Sequence, residues 1–261
     1  MWEPGTVRWL EQCDTDRARL QQARPLTPGT LEKIRDHLRV ALTYSSNAIE
    51  GNRLTLQETK VALEGQTVAG KPVRDYLEAI GHAEAFDFMW DLVGRPAPLT
   101  AVDVRSIHNL VLRRSHPEEA GRYRTTGVRI SGSSHVPPDP MAVPAEMDTW
   151  LRRWNTQPGL HPIVRAAQLH GTFVDIHPFV DGNGRTARLL TNLDLLRHSY
   201  RPALLQPQDR FAYYEALDAA RANQWDPLIR HFATAVHRAF VDYWEPYLPP
   251  RTISPPPSLH P

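Results

Sequence analysis

The sequence predicts an all-α protein carrying one small β-hairpin. Three observations point there. Apolar residues recur three and four apart along most of the chain, as in Leu31, Ile34, Leu38, Ala41 and Leu42. Helix-start signals recur as well: Thr27-Pro28, and the boxes Thr55-Leu-Gln-Glu58 and Thr100-Ala-Val-Asp103. Only residues 121–138 break the rhythm, where Val128 and Ile130 alternate with polar neighbours and Gly127 and Gly132 flank the pair.

Taken in order, a first helix spans Arg8 to Gln22 and stops at Pro25. A second starts at Thr27, with proline in its first turn, and ends near Glu50-Gly51-Asn52, with Gly51 as the left-handed cap. A short helix runs from Thr55 to Gly65, and a loop from Gly65 to Lys71. Helices follow over Val73–Val93 and Thr100–Leu112, the second carrying His108 in a structural role. The 121–138 hairpin is too small to stand alone and must pack on helices. Helices then run over Val143–Trp154 and Pro162–Val174, the latter leading straight into His177. Another helix starts at Arg185, Pro202 and Pro207 bound a linker, and helices from Phe211 and over Asp226–Trp244 complete the set. From Pro246 on there are seven prolines in 16 residues, read as an extended or disordered tail. The organisation expected is an N-terminal helical segment over 1–72, a core over 73–245 and a tail over 246–261.

The chain has 261 residues, of which 41% are hydrophobic, enough for a sizeable core. Net charge is +1 with no long basic run, so nucleic acid is not the expected partner. Cys13 is the only cysteine and can form neither an internal disulfide nor a cysteine-rich zinc site. The start has no signal-peptide pattern, and no apolar run approaches the roughly 18 residues of a membrane span. A cytoplasmic location without membrane contact is the expectation.

Chemistry concentrates in His177-Pro-Phe-Val-Asp-Gly-Asn-Gly-Arg-Thr-Ala-Arg188. His177 can move a proton near neutral pH. Asp181 offers hard oxygen to a cation such as Mg²⁺. Gly182, Asn183 and Gly184 allow a tight turn whose N–H groups can converge on an anion at the positive end of the following helix. Arg185 and Arg188, three apart, can both fork onto phosphate oxygens. Asp-Gly and Asn-Gly are also ordinary turn pairs, but a turn requires neither His-Pro-Phe before it nor two arginines after it. A zinc site on His170 and His177 is conceivable from their spacing, yet no further ligand accompanies them.

This stretch resembles the signature of the Fic family, His-x-Phe-x-Asp/Glu-Gly-Asn-Gly-Arg-x-x-Arg, at every defined position. The resemblance implies a Fic-like helical bundle that moves AMP from ATP to a Ser, Thr or Tyr hydroxyl of a target protein. It implies His177 as general base, Asp181 as Mg²⁺ ligand, Gly182, Asn183 and Gly184 as the anion hole, and Arg185 and Arg188 on the phosphates, with Arg188 on the γ-phosphate. The related Doc kinases carry lysine where Gly184 stands, which argues against their inverted nucleotide pose. Ser46-Asn-Ala-Ile-Glu50-Gly51 resembles the inhibitory motif of Fic proteins, Ser/Thr-x-x-x-Glu-Gly/Asn. There the glutamate pairs with the second signature arginine, here Arg188, and blocks seating of the ATP γ-phosphate. Physics agrees that Glu50 is oddly placed, because the C-terminal end of a helix disfavours an acid. In the family a flap at the position of 121–138 lines up the target by strand addition, and His135 could line the cleft. Tyr213 and Tyr214 resemble a tyrosine pair near the nucleotide, with Arg221 standing where some relatives carry asparagine. Rival readings are another nucleotidyl transfer, removal of AMP with Glu50 aiding the attacking water, and a non-catalytic nucleotide-binding module. A homodimer stays open.

Overall fold

Two helices with almost no exposed face form the centre of the molecule. In a computed structural model of the chain, which describes residues 2–23, 25–67, 69–130, 133–156 and 159–249, these are α7 (Pro162–Ile176) and α8 (Asn183–Arg197), joined by the six-residue 177–182 loop. Around them stand α1 (Pro4–Gln22), α2 (Pro28–Ile49), α3 (Leu56–Leu63), α4 (Val73–Val93), α5 (Ala101–Leu112), α6 (Val143–Thr156), α9 (Arg210–Arg221) and α10 (Asp226–Tyr243). Helices α2, α4 and α5 cover α8, while α6, α9 and α10 cover α7, and α1 closes the far side against α10.

Because α8 is buried all round, an unpartnered polar group on it is costly, and several of its polar side chains find partners in the protein. Asp194 takes Arg165 of α7 as an ion pair, and Thr191 donates to the Ala187 carbonyl at 2.7 Å. Asn192 Oδ1 accepts from the Ala203 N–H at 2.8 Å, fastening the segment that follows α8.

The helix boundaries come from local chemistry. Thr27 caps α2 by accepting from the Thr30 N–H at 3.2 Å. Both capping boxes close, Thr55 with Glu58 and Thr100 with Asp103. Gly51 ends α2 with φ of 96°. α1 begins a turn earlier than the sequence reading, at Pro4, where the missing proline N–H costs nothing. α8 begins at Asn183 rather than Arg185.

One hydrophobic core runs from Leu10 and Cys13 of α1, through Ile34, Leu38 and Ile49 of α2, to Leu248. Residues 1–72 thus share the core of 73–245, apart from a small cluster of Leu54, Ala62 and Ala79. The expected tail starts inside the fold: Glu245–Tyr247 forms a 3₁₀ turn and Leu248 is buried. Its remainder, 250–261, lies outside the described residues.

The expected hairpin is corrected. Among the described residues of 121–138 there is no strand, and 131 and 132 are not described. The reason is visible in the hydrogen bonds. The backbone N–H of Arg124 goes to the Pro178 carbonyl at 3.0 Å, the carbonyls of Thr126 and Pro138 accept from the Arg124 guanidinium, and Ser133 N–H closes a turn on Ile130. A two-stranded ribbon is marginal in water, and these anchors hold the strip without one.

Candidate active site

The loop between α7 and α8 is built to turn sharply and stay still. His177 sits in the left-handed region at φ 48°, rare for a residue with a side chain, and ends α7 by donating its N–H to Phe173 at 3.1 Å. Gly182 reverses the chain at φ 75°, and a Cβ there would also press on Leu112 and His108. The Asn183 side chain clasps Phe179 from both sides, accepting from its N–H at 3.0 Å and donating to its carbonyl at 2.9 Å. His108 of α5 lies flat on Phe179, ring centroids 3.6 Å apart. Its Nδ1 accepts from the Gly121 N–H, so Nε2 carries the proton and donates to the Asp181 carbonyl at 2.9 Å.

His177 is poised as a base. Among the described residues its Nδ1 partner is the Val174 carbonyl at 3.3 Å, so Nδ1 holds the proton and Nε2 keeps a lone pair. Burial, helped by the charges of Arg124 and Arg221, pushes its pKa down to about 4 against the pull of Val174 and Glu50. Asp181 lies at the same loop, its Oδ1 accepting from the Gly182 N–H at 2.6 Å and its Oδ2 from Arg185 at 3.3 Å. Burial favours its neutral form, but the Arg185 charge and the Gly182 N–H more than offset this and hold the carboxyl below its usual range.

These groups face a cavity of about 410 Å³. Its wall includes His177, Asp181 and the backbone of Gly182, Asn183 and Gly184 at the start of α8, a helix that no side chain caps. Arg188 and Glu50 stand on the same wall. Although 138 positions apart, they form an ion pair at 2.7 Å. Arg188 Nε also donates to Ser46 Oγ at 2.9 Å, and Nη2 to the Ser46 carbonyl at 2.9 Å. Burial pulls the guanidinium pKa down, yet the Glu50 carboxylate more than compensates and the net shift is upward. Gly184 is needed for this arrangement, since a Cβ there would collide with Glu50 Oε1.

Other sequence-marked residues fall into place differently. Arg185 does not line the cavity: its side chain is 3% exposed and reaches Asp181 and, at 3.6 Å, Glu78 behind the loop. Asn183 spends its side chain on Phe179. Tyr213 is buried against His170, and the direction of that bond can be read. Thr191 donates to Ala187, so it accepts from His170 Nδ1 at 2.9 Å, and His170 Nε2 accepts from the Tyr213 hydroxyl at 2.7 Å. His170 is thus occupied by protein partners, and among the described residues no group of three or more potential ligands could hold a metal by itself. Tyr214 lines the cavity beside Arg210, and Arg221 ties three walls together through Asp175 at 2.7 Å, Ser133 at 3.0 Å and Asp218. His135 Nε2 donates to the Asp175 carbonyl, 3.0 Å away, outside this cavity.

Three buried histidines and the part-buried His177 predict an acid-labile fold. Burial pushes His82 and His170 down to about 3, and His108 and His177 to about 4. Each is neutral in the folded chain and takes a proton in the unfolded chain near the ordinary value of about 6.5. Stability is therefore complete above pH 6.5 and is lost as pH falls toward 4, by up to about 1.4 kcal/mol per pH unit for each histidine. Urea melts between pH 7.5 and 4.5 should show this slope; a flat profile would contradict it.

Comparison with known proteins settles the family. Residues 98–195 match the model of the Fic/DOC family. A fragment of Fic-1 from Caenorhabditis elegans superimposes with a TM-score of 0.83 at 30% identity, covering 91% of this chain and 71% of that one. The chain belongs to the Fic/DOC family. A Fic-domain signalling protein from Bacteroides thetaiotaomicron shares the fold at a TM-score of 0.79 and 26% identity, covering 89% of this chain and 94% of that one. A protein adenylyltransferase Fic from Nematostella vectensis is 41% identical over 217 residues, 81% of this chain and 49% of the relative. The chain thus spans about half the length of the curated relatives it matches. No described helix is long and apolar enough to cross a membrane.

Sequence reasoning missed two side chains that shape this Fic site. His108 was legible only as a helix residue, because its partners at 121 and 179–181 are distant in sequence. Arg124 gave no signal at all, since a buried arginine bonded only to carbonyls has no pattern along the chain.

Proposed function

We propose that this Fic-family chain transfers AMP from ATP to a hydroxyl of a target protein, and that Glu50 holds the reaction back. The observation that carries the reading is the meeting in one cavity of a neutral His177, the uncapped start of α8 and Arg188. Relatives named protein adenylyltransferase Fic, at 33–41% identity, support the same chemistry. In the reaction the target hydroxyl oxygen forms a bond to the α-phosphorus while the bond from that phosphorus to the bridging oxygen breaks. The hydroxyl proton goes to His177 Nε2, and pyrophosphate leaves. The first-turn N–H groups of α8 stabilise its developing charge without needing to reorganise. Tyr214, Asp218 and Arg221 also line the cavity and are the side chains left to border the nucleoside. The 121–138 strip borders the cavity through Arg129, Ile130 and Ser133 and is the natural place for the target backbone.

Magnesium suits the donor set. Asp181 supplies one partly exposed carboxylate at the cavity wall, and Mg²⁺ is commonly held by one or two carboxylates with waters and substrate phosphates. Bound there, the ion neutralises charge on the phosphates. Asp181→Ala is expected to abolish the magnesium dependence together with the activity, read as labelling rate against Mg²⁺ concentration. An unchanged magnesium curve would remove Asp181 from the metal site.

Removal of AMP at the same site has one feature in its favour. Glu50 itself lines the cavity that contains His177, where its carboxylate can orient a water. Incubating AMP-labelled target with the wild-type chain and Mg²⁺, then with Glu50→Gly, tests it: loss of label in the first alone would favour removal.

A further inference from the structure

We infer that Arg124 is the positioning residue for His177, and that it registers the target-binding strip to the base through a fan of hydrogen bonds to main-chain carbonyls. The inference rests on the transfer reading above and extends it. Arg124 is 3% exposed. Among the described residues its guanidinium has no ion pair within 4.0 Å, and burial pushes its pKa down. Burying an arginine in this way is costly unless its donors are satisfied. All of its partners are carbonyls. Nε donates to His177 at 2.8 Å, Nη2 to Pro138 at 2.6 Å and to Ile176 at 3.4 Å, and Nη1 to Thr126 at 3.3 Å. Its own backbone N–H donates to Pro178 at 3.0 Å.

The carbonyls come from three places that must agree for transfer to occur. Ile176 and His177 are the last carbonyls of α7, at the negative end of its dipole, where a cation is favoured. Thr126 and Pro138 lie on either side of the part of the strip that borders the cavity. His177 is held at φ 48°, a conformation uncommon for residues with a side chain, as the left-handed residue that ends α7. The Arg124 bonds to residues 176, 177 and 178 are what surround it on the strip side. Arginine suits the task because its planar fork of five donors reaches several carbonyls at once, whereas lysine ends in a single point charge. The carbonyls at the base and on the strip are thus tied to one guanidinium.

The test uses the full chain in the Glu50→Gly background, so that restraint by Glu50 does not mask the rate. Arg124→Ala, Arg124→Lys and His177→Ala are compared by labelling kinetics below their melting temperatures, and by NMR titration of the His177 ring. Arg124→Ala is expected to lose kcat by about 10²-fold, as a misplaced base does, with KM for ATP nearly unchanged. Its His177 titration should move up from about 4 toward the ordinary histidine value. Arg124→Lys, which keeps charge and length and decides the matter if the alanine variant fails to fold, should not recover the rate. Added guanidinium ion should restore part of the rate to Arg124→Ala. Full kcat in either Arg124 variant, or a loss confined to KM, overturns the inference. If His177→Ala also labels at the parent rate, the transfer reading itself has failed; if only the Arg124 variants stay active, the failure belongs to Arg124 alone.

Discussion

Glu50→Gly is expected to label protein much faster than the wild-type chain at saturating Mg²⁺ and ATP, and to melt at a lower temperature without nucleotide. Both effects come from one contact. Arg188 is buried, and Glu50 is its only carboxylate partner among the described ion pairs. On the proposed reading, Arg188 paired at 2.7 Å with Glu50 would not turn to a γ-phosphate, and ATP would seat with its α-phosphorus poorly placed for in-line attack. Removing the carboxylate frees it. Breaking a fully buried pair costs about 3–5 kcal/mol. Glu50 is 34% exposed and Arg188 keeps Ser46, so the loss here should be nearer 1–2 kcal/mol, between the buried and surface cases. ATP phosphates can replace the carboxylate, so the variant should gain more melting temperature from Mg·ATP than the parent does. Equal rates across ATP concentrations would leave Glu50 as an acid at a helix end and nothing more.

His177→Ala is expected to lower transfer by about 10²–10⁴-fold, as loss of a general base does, while ATP affinity stays near the parent value. The side chain is only part-buried and its ring bond to Val174 is long, at 3.3 Å, so the fold should survive. Position 177 is left-handed, which asparagine tolerates better than alanine, and His177→Asn is the control for backbone strain. The wild-type rate should be flat through neutral pH and fall only in acid, because His177 stays neutral down to about pH 4 in the free chain. Phosphates in the cavity shift that limb upward. A His177→Asn variant that labels within about tenfold of the parent would remove the histidine from the role of base.

What the sequence disclosed and what it hid follow from the range of the interactions. Helices were legible because their signals are local: Thr27, Thr55 and Thr100 each mark a start that the structure places within a residue. The signature loop was legible because its chemistry is contiguous, from His177 to Arg188. The contact of Glu50 with Arg188 was reached only through a family resemblance, since nothing local ties residues 138 apart. The strip at 121–138 misled because its alternation of Val128 and Ile130 is a strand pattern, while its anchors on Pro178, Ile176 and His177 are contacts that no periodicity encodes. Arg185 misled for a related reason. Spacing put it on the same helical face as Arg188, but the cavity meets only part of that face, and Arg185 turns to Asp181 and Glu78 instead.

The most direct measurement is the intact mass of the Glu50→Gly chain after incubation with Mg·ATP, alongside the same variant carrying His177→Ala. The account predicts that the first gains the mass of AMP, on itself or on added target, and that the second gains nothing. Addition of a phosphoryl group, an AMP adduct in both, or no adduct in either across a range of offered target proteins would contradict it.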